Sequence, residues 1–108
     1  MKTTLKIKTI DVQAKQWFDK VNGNSYFSAI ITLNFGLENQ KQIGLPFQYG
    51  YGSQYEYEAM HVLQTENYLP TEKIYSLFQY CNDNKIILRT NKKDKCLKSE
   101  VKEFIKYL

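Results

Sequence analysis

A chain of 108 residues, 43% hydrophobic and 24% charged, has the length and balance of a single globular domain spanning residues 1–108, with enough chain to bury a modest core. No apolar run approaches the roughly 20 residues of a membrane-spanning helix, so no membrane partner is expected. Cys81 and Cys96 are too few and too far apart for a disulfide framework or a Cys-x-x-Cys metal clip, and two reduced thiols are expected, Cys81 in the core.

The formal charge of +4 is uneven: residues 85–108 hold eight basic against three acidic side chains, a net +5, and the rest of the chain sums to −1. Such a basic segment, with Arg89, Lys92, Lys93 and Lys95 at its centre, suits an acidic partner such as nucleic acid. It equally suits a solvated lysine face, since only one of the eight is an arginine, the residue best fitted to bidentate phosphate contacts.

The segment Met1-Lys2-Thr3-Thr4-Leu5 carries charge without the apolar region of a secretion signal, so the chain is expected to remain in the cytoplasm. From Thr3 to Ala14 the apolar set changes phase, Leu5 and Ile7 giving way to Ile10, Val12 and Ala14; this predicts a strand with a bulge or break near Thr9. Asn22-Gly23 between apolar runs predicts a tight hairpin with positive φ at both central residues. In the outgoing strand Phe27, Ala29, Ile31, Leu33 and Phe35 share one face. A loop over 36–40 returns the chain into Ile43, Leu45, Phe47, Tyr49 and Tyr51, which alternate with polar or small residues.

Gly50 and Gly52 then allow a sharp turn. Ser53 with Glu56 three residues on has the capping-box spacing, so a helix is predicted from Ser53 to about Glu66 with Tyr55, Ala59, Val62 and Leu63 inward. Strand, Gly-x-Gly and helix start is also a phosphate-cradling layout, although the Gly-Lys-Ser/Thr and third-glycine signatures are missing and Glu56 and Glu58 lie close by. Thr71 is the predicted cap of a second helix with stripe Ile74, Leu77, Phe78 and Cys81. A short strand is expected over 85–90. A last helix from about Asp94 turns Leu97, Val101, Phe104, Ile105 and Leu108 to one side. Strands first and helices later give an α+β fold: an antiparallel meander of three to four strands, packed on one face against two to three helices, with an additional strand near 85–90.

Two segments in this order, Trp17-Phe18-Asp19-Lys20-Val21-Asn22-Gly23-Asn24-Ser25-Tyr26 and Pro46-Phe47-Gln48-Tyr49-Gly50-Tyr51-Gly52, resemble a group of small bacteriophage and prophage proteins of unassigned function. The resemblance extends to about residue 60. It implies a phage origin and a bacterial host cytoplasm, and no reaction. The chain departs from the group at Phe27-Ser28, where the group carries a more polar histidine-serine pair, so no polar role is carried over to position 27.

Enzymatic chemistry needs positioned acids, bases or metals. His61 stands alone without the Cys or His partners of a zinc set. Asp11 and Asp19 could pair as carboxylates, but strand-end aspartates ordinarily serve turns. No enzyme activity, metal or cofactor is expected. Phe27, Phe35, Phe47, Phe78 and Phe104 fit the core pattern, whereas Trp17, Tyr26, Tyr49, Tyr51, Tyr55 and Tyr57 are less well absorbed by it. Trp17, Tyr26, Tyr49, Tyr51 and Tyr55 with Lys20 form the candidate binding surface. Such a set suits packing within the domain, a host protein partner, or a stacked nucleotide or single-stranded nucleic acid. The expected function is therefore a non-enzymatic phage accessory protein that binds a host macromolecule, such as a defence or nucleic-acid-processing component, with direct nucleic-acid or nucleotide binding as the alternative.

Overall fold

The computed structural model describes residues 6–106 and 108; the part of the expected N-terminal strand before Lys6 lies outside them. Four strands form one sheet in the order β3-β2-β1-β4. β1 (Thr9–Asp19), β2 (Asn24–Leu33) and β3 (Lys41–Tyr49) run antiparallel as a meander. β4 (Ile87–Lys93) lies along β1 in parallel. The sheet is thus mixed, because β4 is reached only after the chain has crossed over through two helices. The additional strand expected near 85–90 is present, displaced to 87–93.

The β1–β2 register pairs Ile10 with Leu33, Val12 with Ile31 and Ala14 with Ala29. These residues, with Phe27 and Leu45, are buried on one face of the sheet. Against them pack α1 (Gln54–Thr65), through Tyr55, Ala59, Met60 and Leu63, and α2 (Leu77–Asp83), through Leu77 and Cys81. α3 (Lys98–Glu103) lies on the opposite face. Ser28, which alternation points away from α1, is fully buried and donates a hydrogen bond to the Val101 carbonyl. A Cβ on Gly44, on the same side, would stand 3.2 Å from Cβ of Ile105. Helices on one face only was therefore the wrong expectation: the face holding Ser28 and Ile30 is also too apolar to leave open.

Several boundaries move for identifiable reasons. No bulge occurs near Thr9, because pairing begins there and Ile7 precedes the strand. The irregularity lies instead between Phe27 and Ala29, opposite Pro46 and Phe47. β2 stops at Leu33 because Asn34 turns into the left-handed region at φ 54°, and its buried side chain accepts the Lys8 N–H at 2.7 Å and donates to the Lys6 carbonyl at 2.9 Å. Phe35, expected inward, is consequently exposed. In the hairpin only Gly23 has positive φ; Asp19 shapes the turn, its carboxylate accepting the Val21 and Asn22 N–H groups at 3.0 and 3.3 Å.

The Ser53–Glu56 capping box is not formed, since the Ser53 side chain makes no capping bond. α2 begins six residues later than Thr71, capped by Ser76, whose hydroxyl accepts the Gln79 N–H at 3.0 Å; a helix this short buries Leu77 and Cys81 but leaves Phe78 exposed. α3 likewise starts at Lys98, with Leu97 as an exposed cap residue.

Candidate binding cleft at the hairpin end of the sheet

Trp17, Tyr26 and Phe47 meet because β1 register sets Trp17 opposite Tyr26, while the β2–β3 irregularity brings Phe47 onto the α3 face. Tyr26 and Phe47 stack with centroids 5.2 Å apart and planes 6° from parallel; Trp17 and Tyr26 stack at 5.7 Å and 29°. Tyr49 meets Tyr26 edge-on at 6.0 Å. Each such contact adds about 0.5–1.5 kcal/mol beyond area burial. The rings spend their faces on one another and do not lie flat as a platform. Lysines close the stack: Nζ of Lys98 sits 5.2 Å from the Trp17 ring centroid and Nζ of Lys102 5.3 Å from that of Phe47.

The basic segment is also largely engaged. Arg89 forms a fork to Asp11, Nε to Oδ1 at 2.6 Å and Nη2 to Oδ2 at 2.9 Å. Asp11 is therefore committed to Arg89 and Asp19 to the hairpin turn, at opposite ends of β1, about 26 Å apart along an extended strand. They do not form a carboxylate pair. The amide side chain of Asn22, donating at 2.8 Å, is the main cause holding the Asp19 carboxyl below its usual range. Lys92 donates to Oε1 of Gln16 and to the Gly52 carbonyl, both at 3.1 Å, and pairs with Asp94 at 3.4 Å. It thereby ties β4 to the Gly50–Gly52 turn. Lys93 approaches Glu100 at 3.9 Å.

Tyr55 is not a surface residue. It is 6% exposed within α1, and burial raises its phenol pKa, an effect opposed by a hydrogen bond with Thr90. Tyr57 stacks on His61 at 5.1 Å on the outer side of the same helix. Burial likewise pushes the Cys81 thiol up to about 11, as fits a core position. No group of three or more His, Cys, Asp or Glu side chains able to hold a metal occurs among the described residues.

Between the stack, the Gly50–Gly52 turn and the chain leaving β4 lies an open cleft of about 970 Å³. Its walls are Trp17 and Phe18 from β1, Tyr51 from the turn, and the segment Lys92 to Leu97, whose Cys96 N–H donates to the Gln16 carbonyl at 3.0 Å. Lys20 and Ser25 complete the rim. Phe18, Tyr51 and Leu97 are 49%, 68% and 67% exposed, and neither Phe18 nor Tyr51 stacks on another ring among the described residues. Beside the cleft Val21 projects from the hairpin tip and Tyr49 from the end of β3.

Of the candidate surface, Trp17, Lys20 and Tyr51 line one cleft, Tyr26 and Tyr49 adjoin it through the stack, and Tyr55 does not belong. Phe18 and Leu97 were missed. Phe18 had a readable signal: two adjacent rings in a strand must point to opposite faces, so Trp17-Phe18 cannot place both in one packed layer. Leu97 had none, since its exposure follows from the late start of α3. No helix among the described residues is long and apolar enough to cross a membrane. Comparison with protein-family models finds no match, and comparisons with curated proteins and with solved structures find none either.

Proposed function

We propose that this chain is a non-enzymatic binding protein that docks a protein partner at the hairpin end of the sheet. The reading is carried by the concentration of exposed apolar side chains there: Phe18, Tyr51 and Leu97 around one cleft, with Val21 and Tyr49 beside it. Isolated exposed hydrophobics are ordinary, but a group that rims a concavity fits an interface, where aromatic anchors dominate the binding energy. Together with the resemblance to phage proteins, the reading makes the partner a host macromolecule in the bacterial cytoplasm, a defence or nucleic-acid-processing component being the natural class.

The test is affinity capture from a bacterial host lysate with the wild type, Tyr51→Ala and, as a control away from the cleft, Tyr57→Ala. Tyr51→Ala is expected to lose a partner that Tyr57→Ala keeps, with thermal unfolding unchanged in both. Equal recovery by all three proteins would reject the assigned surface. A second reading, single-stranded nucleic acid or a nucleotide at the same cleft, draws support from Phe18 and Tyr51, two rings without ring partners beside lysines. It requires affinity for oligonucleotides that falls steeply with salt.

A further inference from the structure

Resting on the docking reading, we infer that the segment received by the cleft is an acidic stretch of polypeptide anchored by an apolar side chain. The lining contains three lysines and one carboxylate. Lys92 and Asp94 satisfy each other at 3.4 Å. Lys20 and Lys95 remain, and neither ammonium group has a hydrogen-bond or ion-pair partner among the described residues. The cleft therefore presents two uncompensated positive charges above walls of Phe18, Tyr51 and Leu97.

Lys95 adds an independent observation. Its backbone lies in the left-handed region at φ 60°, where a residue with a Cβ costs roughly 1–2 kcal/mol and glycine is the unstrained choice. No intramolecular bond of the side chain among the described residues offsets that cost, which leaves the ammonium group available at the cleft rim. An aliphatic wall favours polypeptide over nucleic acid. Leu97 offers no stacking surface, and Trp17, the largest ring at the cleft, is already engaged by Tyr26, Phe47 and Lys98. Carboxylates on the Lys20 and Lys95 rim with one apolar side chain between Phe18, Tyr51 and Leu97 satisfy the charge and the apolar surface together.

Three fluorescein-labelled probes test the assignment by anisotropy at low ionic strength: a short glutamate-rich peptide with a central leucine, its glutamine-for-glutamate counterpart, and an oligothymidylate of matching length. Each is titrated with wild type and Lys95→Gly. The acidic peptide should bind best, and Lys95→Gly should weaken it about two- to fivefold, the worth of an exposed ion pair, with unchanged or higher thermal stability. The glutamine peptide should be indifferent to the substitution. Equal affinity for the two peptides, tighter binding of oligothymidylate, or a drop in thermal stability of Lys95→Gly would each overturn the inference. Absence of peptide binding alongside Tyr51-dependent capture from lysate would overturn the acidic occupant alone. Loss of the Tyr51 dependence would overturn the docking surface itself.

Discussion

Gly50 is the point at which the strand, the turn and the core meet, and Gly50→Ala should destabilise the fold although the residue lies outside the left-handed region. A Cβ there would stand 2.5 Å from Cε1 and 3.0 Å from Cδ1 of Phe27, and 2.8 Å from Cγ of Gln54. The Gln54 side chain can swing away. Phe27 cannot readily do so, being 1% exposed and held in the core against α1. Overpacking of this kind costs typically 1–3 kcal/mol, and two contacts to one fixed ring place it in the upper part of that range. The smaller entropy of the unfolded alanine chain returns about 0.4–1 kcal/mol. A net loss of about 1–2 kcal/mol remains, equivalent to a fall in Tm of about 5–10 °C for a domain near this size. Urea unfolding followed by circular dichroism should show a lower midpoint at unchanged slope, which distinguishes lost stability from a changed unfolded state. Gly52→Ala supplies the contrast: it meets nothing within 4 Å, but its φ of +61° makes backbone strain the sole cost. A Gly50→Ala protein as stable as wild type would refute the close approach and with it the turn geometry that positions Tyr51.

The placement of α3 on the second face of the sheet predicts that Ser28→Ala costs about 1–3 kcal/mol, because the buried Val101 carbonyl loses its serine donor; a neutral result in thermal unfolding would argue against that docking. Glu100 accepts the Leu97 N–H at 2.8 Å, and this bond, with Lys93 contributing less, lowers its carboxyl pKa. The lowered folded-state pKa means that the stabilisation is complete above the unfolded value of 4.5 and is lost as pH falls through the folded one. Melting temperatures of wild type and Glu100→Gln should therefore differ at neutral pH and converge as pH falls through the lowered folded-state pKa; a gap that persists in acid would assign the effect to something other than the carboxylate.

The β1–β2–β3 meander was legible because strand alternation repeats every two residues, and one misplaced step would expose Ile10, Val12, Phe27 and Ile31 together. The α1 inward face was legible for the same reason at helical period. The Ser53 cap was not, since its spacing permits a bond that the turn geometry does not form. Leu97 fits an apolar stripe whose helix begins too late to bury it, whereas Phe78 lies within α2 beside the buried Leu77 and is still exposed; helix starts and helix rotation depend on what the neighbouring chain packs against, and no local pattern encodes that.

The sequence by itself determined the α+β class, the antiparallel meander, the Gly-x-Gly corner and the Cys81 core position, because each follows from local periodicity or backbone freedom. Only the tertiary structure decided which rings serve packing and which face solvent. Trp17, Tyr26 and Phe47 are brought into one stack by strand register and an irregularity in pairing. Phe18, Tyr51 and Leu97, from three separate stretches, are left around one cleft, where the lysines of a parallel edge strand and its exit loop meet them. Register, crossover and helix start are long-range choices, fixed by the burial of many side chains at once, and no single stretch of chain contains them.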